Sequence, residues 1–182
     1  VYGDQYVLEP FSFSIFKRFS LNPNVEKTHP AHRYSLRELC DFLQIKSDLF
    51  TEFHDFPLLV PDHWLKKIEK GNPYDPLLLQ ILPQIKEREK SDWPVDAVGD
   101  QNATLGQGLI KKYSSRALLI SSPACQIHCR YCFRRHFPYQ ESTKKTSDWA
   151  RALDELENHP KVNEIILSGG DPLTLPDKRW EE

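Results

Sequence analysis

Arg116-Ala-Leu-Leu-Ile-Ser-Ser-Pro-Ala-Cys125-Gln-Ile-His-Cys129-Arg-Tyr-Cys132 sets an apolar run directly against three closely spaced cysteines. Residues 116–121 lack the polar alternation of a half-exposed strand and read as a buried one. A second run of the same kind, Asn163-Glu-Ile-Ile-Leu-Ser168, follows a helical segment. Thr146 or Ser147 caps that segment, Trp149, Leu153 and Leu156 mark its apolar side, and Pro160 stops it. Strand, long loop, helix and strand make a βαβ unit, which calls for parallel strands and a right-handed crossover. The expected fold is therefore α/β, with a parallel sheet. In a parallel α/β barrel the working groups sit on loops leaving the C-terminal ends of the strands. The cysteines and Ser168-Gly-Gly-Asp-Pro-Leu173 both occupy loops of that kind.

Upstream the pattern changes. Ser35-Leu-Arg-Glu38 is a capping box, and Leu36, Leu39, Cys40 and Leu43 follow at helical spacing. Cys40 falls on the apolar side and reads as a small core hydrophobe rather than a ligand. A second helix is expected from Asp62 to Lys70, with Leu65 and Ile68 inward and Gly71 as its stop. Gly71-Asn-Pro-Tyr-Asp-Pro76 is a turn, Leu77 to Leu82 a short apolar helix ended by Pro83, and 91–108 a polar connector. Residues 1–34 are irregular, with Phe11, Phe13, Phe16 and Phe19 expected to pack. The resulting division is a mainly helical extension, 1–105, before a βαβ region, 106–182.

Composition narrows the class. The chain has 182 residues, 39% hydrophobic and 12% aromatic, enough for a packed core and unlike a disordered chain. A net charge of −2 points neither to nucleic acid nor to an acidic tail. No apolar run approaches the roughly 20 residues that span a bilayer, and the first residues lack the apolar block of a signal peptide. A soluble cytoplasmic protein, without membrane or nucleic-acid partners, is the plain expectation. Methionine is absent even at position 1, and Asp177-Lys-Arg-Trp-Glu-Glu182 reads as the opening of a helix. The expectation is an N-terminal piece of something longer.

Three of the four cysteines crowd into 125–132 as CxxxCxxC. Thiolates are soft donors that suit zinc or iron–sulfur clusters. Three of them can hold three corners of a cubane and leave the fourth iron open to a small molecule. The competitor is a Cys₃His zinc site using His128 or His136. Zinc sites usually pair two short units about a dozen residues apart, and no second pair exists here. In the other loop, adjacent glycines permit positive φ and close approach to the backbone, though Gly-Gly-Asp-Pro alone reads as a turn. Six of the 24 Lys and Arg (Lys111, Lys112, Arg116, Arg130, Arg134, Arg135) fall in 106–139, with none of the 26 Asp and Glu. Such a stretch suits carboxylates or a phosphate, or forms a solvated basic face or an RNA contact.

CxxxCxxC with Tyr131 before its last cysteine resembles the signature of radical S-adenosylmethionine (SAM) enzymes. The resemblance implies a partial (β/α) TIM-like barrel and a [4Fe–4S] cluster on Cys125, Cys129 and Cys132. It also implies SAM on the open iron, with Tyr131, Gly169, Gly170 and Asp171 in its binding site. Asn72-Pro-Tyr-Asp-Pro-Leu77, Gly108-Leu-Ile-Lys-Lys-Tyr-Ser-Ser-Arg116, Cys132-Phe-Arg-Arg135 and Ser168-Gly-Gly-Asp-Pro-Leu173 together resemble the lysine 2,3-aminomutase family. Phe133-Arg-Arg-His-Phe-Pro-Tyr139 is similar to the branch serving elongation factor P. That branch converts L-α-lysine to (R)-β-lysine, which a partner ligase attaches to the factor. The resemblance further implies pyridoxal 5′-phosphate and a reductant such as flavodoxin or ferredoxin. Arg134 would hold the substrate carboxylate, and Lys112, Tyr113 and Arg116 would contact pyridoxal phosphate. Lys112 stands where an arginine is common in the aminomutases. No lysine present matches the one that anchors pyridoxal phosphate, so this chain alone is not expected to turn over lysine. The alternatives are a metabolic lysine or glutamate 2,3-aminomutase and, in another class, a zinc- or RNA-binding module.

Overall fold

A computed structural model describes residues 31–89, 92–106, 108–139 and 146–181. The Phe11–Phe19 aromatics and the side chains of Thr146 and Ser147 lie outside the described residues.

Strand β1 (Ala31–Tyr34) pairs antiparallel with β2 (Leu58–Pro61), and helix α1 (Leu36–Leu43) lies between them in sequence. The capping box starts α1 as read: Ser35 Oγ accepts from the Glu38 N–H, and the Glu38 carboxylate accepts from the Ser35 N–H at 2.8 Å. Gln44, at φ 57°, ends it in the left-handed region. The helix buries Leu39, Cys40 and Leu43 against Phe50, Val60, Leu65, Leu78 and Leu82, the first of two cores. Leu43 has no exposed surface. Leu43→Ala is expected to cost about 2–5 kcal/mol, from lost burial plus the cavity left behind, read as a lower urea midpoint.

The expected helix Asp62–Lys70 is cut to one turn, α2 (Asp62–Leu65). Tertiary bonds draw the chain out of it: the Glu69 N–H donates to the Asp75 carboxylate (3.1 Å) and the Gly71 N–H to the Leu43 carbonyl (2.8 Å). Leu65 and Ile68 still point inward, and Gly71 has φ 78°. Asp75 also caps the next segment, accepting from the Leu77 and Leu78 N–H groups. Burial alone would raise its carboxyl, but these backbone donors outweigh it and hold the group below its ordinary range. The segment is a 3₁₀ turn, Leu78–Gln80, rather than a longer helix. Between 31 and 105 the helical residues thus fall mostly in short turns.

The second sheet has the order β3 (Thr104–Gly106), β4 (Leu109–Ile110), β5 (Arg116–Ser122), β6 (Glu164–Gly169). β3 lies inside the stretch read as a connector, a correction. Three residues, of which Thr104 and Leu105 are exposed, show no usable alternation. The sheet is mixed, since β3, β4 and β5 are antiparallel, while β5 and β6 pair in parallel as the βαβ reading required. Helix α3 (Thr146–Glu157) covers one face, where Ala152, Trp149 and Leu156 meet Ala117, Leu119, Ile165 and Leu167. Ala152, not Leu153, is its fully buried contact. Leu118 and Ile166 occupy the alternate, opposite face. A short helix, α4 (Lys178–Glu181), follows. No helix among the described residues is long and apolar enough to cross a membrane.

Candidate functional site

The cysteine loop leaves the C-terminal end of β5, and a register shift between Ile120 and Ser122 marks the departure. Bulges of this kind re-aim a chain beside a site. Cys125, Cys129 and Cys132 are free and partly buried. Burial, then the neighbouring charges of Cys132, Asp171 and Cys129, push the Cys125 thiol up to about 11. Cys129 is raised by burial and by Cys132, with a hydrogen bond from Tyr131 acting the other way. The thiols therefore stand within electrostatic reach of one another. Among the described residues, no three His, Cys, Asp or Glu side chains converge as a preformed metal cage.

Neither histidine completes a Cys₃His set. His128 is turned onto the N-terminal core, its ring stacked on Phe56 (centroids 4.4 Å apart) and its Nδ1 donating to the Pro57 carbonyl at 2.8 Å. His136 lies 3.8 Å from the Asp55 carboxylate. What remains is a donor set of three soft thiols on one short loop. That set fits a cluster with one vertex left to a small ligand better than it fits closed zinc.

The Gly-Gly-Asp loop leaves the adjacent strand and is stapled to the cysteine loop by backbone. The Gly170 N–H donates to the Ser122 carbonyl (2.6 Å) and the Asp171 N–H to the Ala124 carbonyl (2.7 Å). Only glycine allows this approach. A Cβ on Gly169 would lie 2.2 Å from the Ser122 carbonyl oxygen, and one on Gly170 2.2 Å from that of Ala124. Gly169 also has φ 125°. Asp171 accepts from the Leu173 N–H and so caps the following turn. Ser122 Oγ and Thr174 Oγ1 share a further bond at 3.0 Å. Tyr139 donates to the Gly169 carbonyl (2.9 Å), and burial pushes its phenol up to about 12, with Cys132 adding to the rise. Tyr131 is two-thirds exposed at the loop's outer side.

On the face away from α3 lies a cavity of about 440 Å³. Its lining brings together Lys112, Tyr113, Arg116 and Arg134 with Leu118 and Ile166. Arg134 is nearly buried over Phe133, its Nη1 donating to Ser168 Oγ (2.9 Å). Arg116 pairs with Glu164, and Tyr113 is largely exposed. Sequence reasoning missed Asp100. Its buried carboxylate accepts from Arg134 Nε on one oxygen and Lys112 Nζ on the other, both at 2.6 Å. Asp96 shapes that loop by accepting from the Asp100 and Gln101 N–H groups. A lone aspartate in a turn-rich stretch carries no periodic signal. Tyr139 was visible in its motif but had no assigned role.

Comparison with known proteins now bears on this geometry. Residues 119–179, from mid-β5 to α4, match the Radical SAM superfamily. The chain is 42% identical over 123 residues to the L-lysine 2,3-aminomutase of Haemophilus influenzae and 43% identical over 123 residues to that of Escherichia coli. Each match covers 67% of this chain and 36% of the relative. The L-lysine 2,3-aminomutase of Acetoanaerobium sticklandii is 33% identical over 129 residues, covering 68% of this chain and 30% of that protein. The chain thus spans only 30–36% of the length of these curated relatives. By these matches the chain is similar to the Radical SAM superfamily over residues 119–179 and to the L-lysine 2,3-aminomutases over about two thirds of its length.

Proposed function

We propose that this chain supplies the cluster and SAM loops of an isomerase that converts L-α-lysine to (R)-β-lysine. The observation that carries the reading is the double staple, Gly170 to Ser122 and Asp171 to Ala124, which seats a glycine-opened loop against the three thiols. The β5–α3–β6 unit is read as the opening of a TIM-like barrel, with both loops at its C-terminal rim. When bound, the cofactors supply reductive cleavage of SAM to a carbon radical, while pyridoxal phosphate carries the substrate amine.

This chain's own groups have the following roles in that reading. Cys125, Cys129 and Cys132 ligate the cluster, and Tyr131, Gly169, Gly170 and Asp171 receive SAM. Arg134 offers its guanidinium to the substrate carboxylate, a planar fork matched to a planar anion. Lys112, Tyr113 and Arg116 face pyridoxal phosphate from the same cavity. Leu118 and Ile166 line it with apolar surface. Ser168 joins the two halves, because it bonds Arg134 and immediately precedes Gly169.

Phe133-Arg-Arg-His-Phe-Pro-Tyr139 favours the branch whose product is attached to elongation factor P by a ligase, with flavodoxin or ferredoxin as the electron source in the cytoplasm. The test is anaerobic reconstitution with iron and sulfide of the protein completed to its relatives' length. L-lysine, SAM, pyridoxal phosphate and dithionite are then supplied, and the amino acids are separated by chiral chromatography. (R)-β-Lysine is the expected product. The S isomer or a β-glutamate would assign a metabolic aminomutase, and zinc without sulfide would overturn the radical reading.

A further inference from the structure

We infer that the N-terminal core is an outer wall of the cluster site, and that His128 and Arg130 are its positioning residues. The inference rests on the cluster assignment above and adds a role for residues outside the βαβ unit. The two residues flank Cys129 and are tied to the first core rather than to the sheet. The His128 N–H donates to the Leu59 carbonyl on β2 (2.9 Å), and its ring bonds Pro57 and stacks on Phe56. The Arg130 N–H donates to the Gln80 carbonyl (2.8 Å), Nη1 to the Leu79 carbonyl (3.2 Å) and Nε to the Glu87 carboxylate (2.5 Å). Ile127 packs on the same core. Further along, the Arg135 guanidinium lies 4.5 Å from the Phe53 ring and 4.9 Å from that of Phe56.

The middle thiol therefore sits on a segment pinned at both neighbours. One side of the loop is stapled to Gly170 and Asp171, the other to β2 and the Leu78–Arg88 turns. Three donors without a preformed cage bind tightly only if the backbone carrying them is held, since each freed residue adds conformational entropy to be lost on binding. Groups that orient a ligand from behind its first contact typically change metal affinity about 10–100-fold when removed.

The experiment reconstitutes the full chain with iron and sulfide, then follows loss of the thiolate-to-iron absorbance in excess chelator. Glu87→Gln keeps the oxygen that accepts from the Gln84 N–H but discharges the partner of Arg130. His128→Phe keeps the stack on Phe56 and loses the bond to Pro57. Each is expected to release iron about tenfold faster than wild type, and together more, with thermal unfolding of the metal-free chain nearly unchanged. Arg37→Ala, on the exposed side of α1, is the control and should match wild type. Release rates within twofold of wild type in both variants overturn the wall and leave the cluster assignment standing. A wild-type chain that takes up no cluster overturns both. If either variant unfolds early and its release tracks that unfolding, general stability explains the effect and the positioning role is rejected.

Discussion

Replacing Cys129 with alanine is expected to abolish cluster assembly in folded protein, whereas Cys40→Ala should leave assembly intact and lower stability instead. Both residues are unpaired cysteines, so the difference is entirely one of place. Cys40 is 3% exposed inside the first core, where burial raises its thiol and keeps it an apolar filler. Trimming it leaves a small void worth on the order of 1–2 kcal/mol. Cys129 shares its loop with two other thiols, and burial together with the neighbouring charge of Cys132 raises the proton affinity of both Cys129 and Cys125. A metal cation displaces those protons and offsets that charge. With two thiols left, a cubane has no stable seat on this loop. Iron, sulfide and zinc contents of both variants, set beside their unfolding curves, decide the matter. Full iron and sulfide in Cys129→Ala would remove that residue from the site.

Gly170→Ala carries the second large effect. The added methyl would stand 2.2 Å from the Ala124 carbonyl oxygen, 2.6 Å from its carbon and 3.0 Å from its nitrogen. These are backbone atoms one residue before Cys125, so no flexible side chain can yield. The backbone must part, and the bonds from Gly170 to Ser122 and from Asp171 to Ala124 part with it. Destabilisation of roughly 3 kcal/mol is expected, together with loss of SAM retention by the reconstituted chain in equilibrium dialysis. Gly71→Ala is the comparison. Gly71 has φ 78° but nothing within 4 Å of its Cβ position, so only backbone strain of about 1 kcal/mol applies, with SAM retention unaffected. Equal urea midpoints for the two variants would show that the loops are not rigidly stapled.

The parts of the fold legible in sequence are those written in short-range chemistry. Ser35 and Glu38 bond each other across three residues, and the apolar runs 116–121 and 163–168 read as strands, the first of them buried and the second only partly covered. Their parallel pairing then brought the Gly-Gly-Asp loop to the cysteines. The parts that escaped depend on bonds between residues far apart in sequence. The helix expected through Lys70 ends early because Asp75 and Leu43 take its N–H groups. β3 exists because β4 offers it an edge. His128 was weighed as a zinc ligand because it sits beside cysteines. Its position against Phe56 and Pro57 comes from a chain segment some seventy residues earlier. Asp100 has no motif at all, and only its burial between Lys112 and Arg134 marks it.

That last trio also sets what the cavity can accept. Two cations share one carboxylate, so the group carries a single surplus positive charge in a region largely shielded from water. A zwitterion presenting its carboxylate there would balance the account of charge without drawing a counterion in behind it. The carboxamide of an amino acid has lost that negative charge and keeps its ammonium, so it would add to the surplus rather than offset it and is expected to bind more weakly.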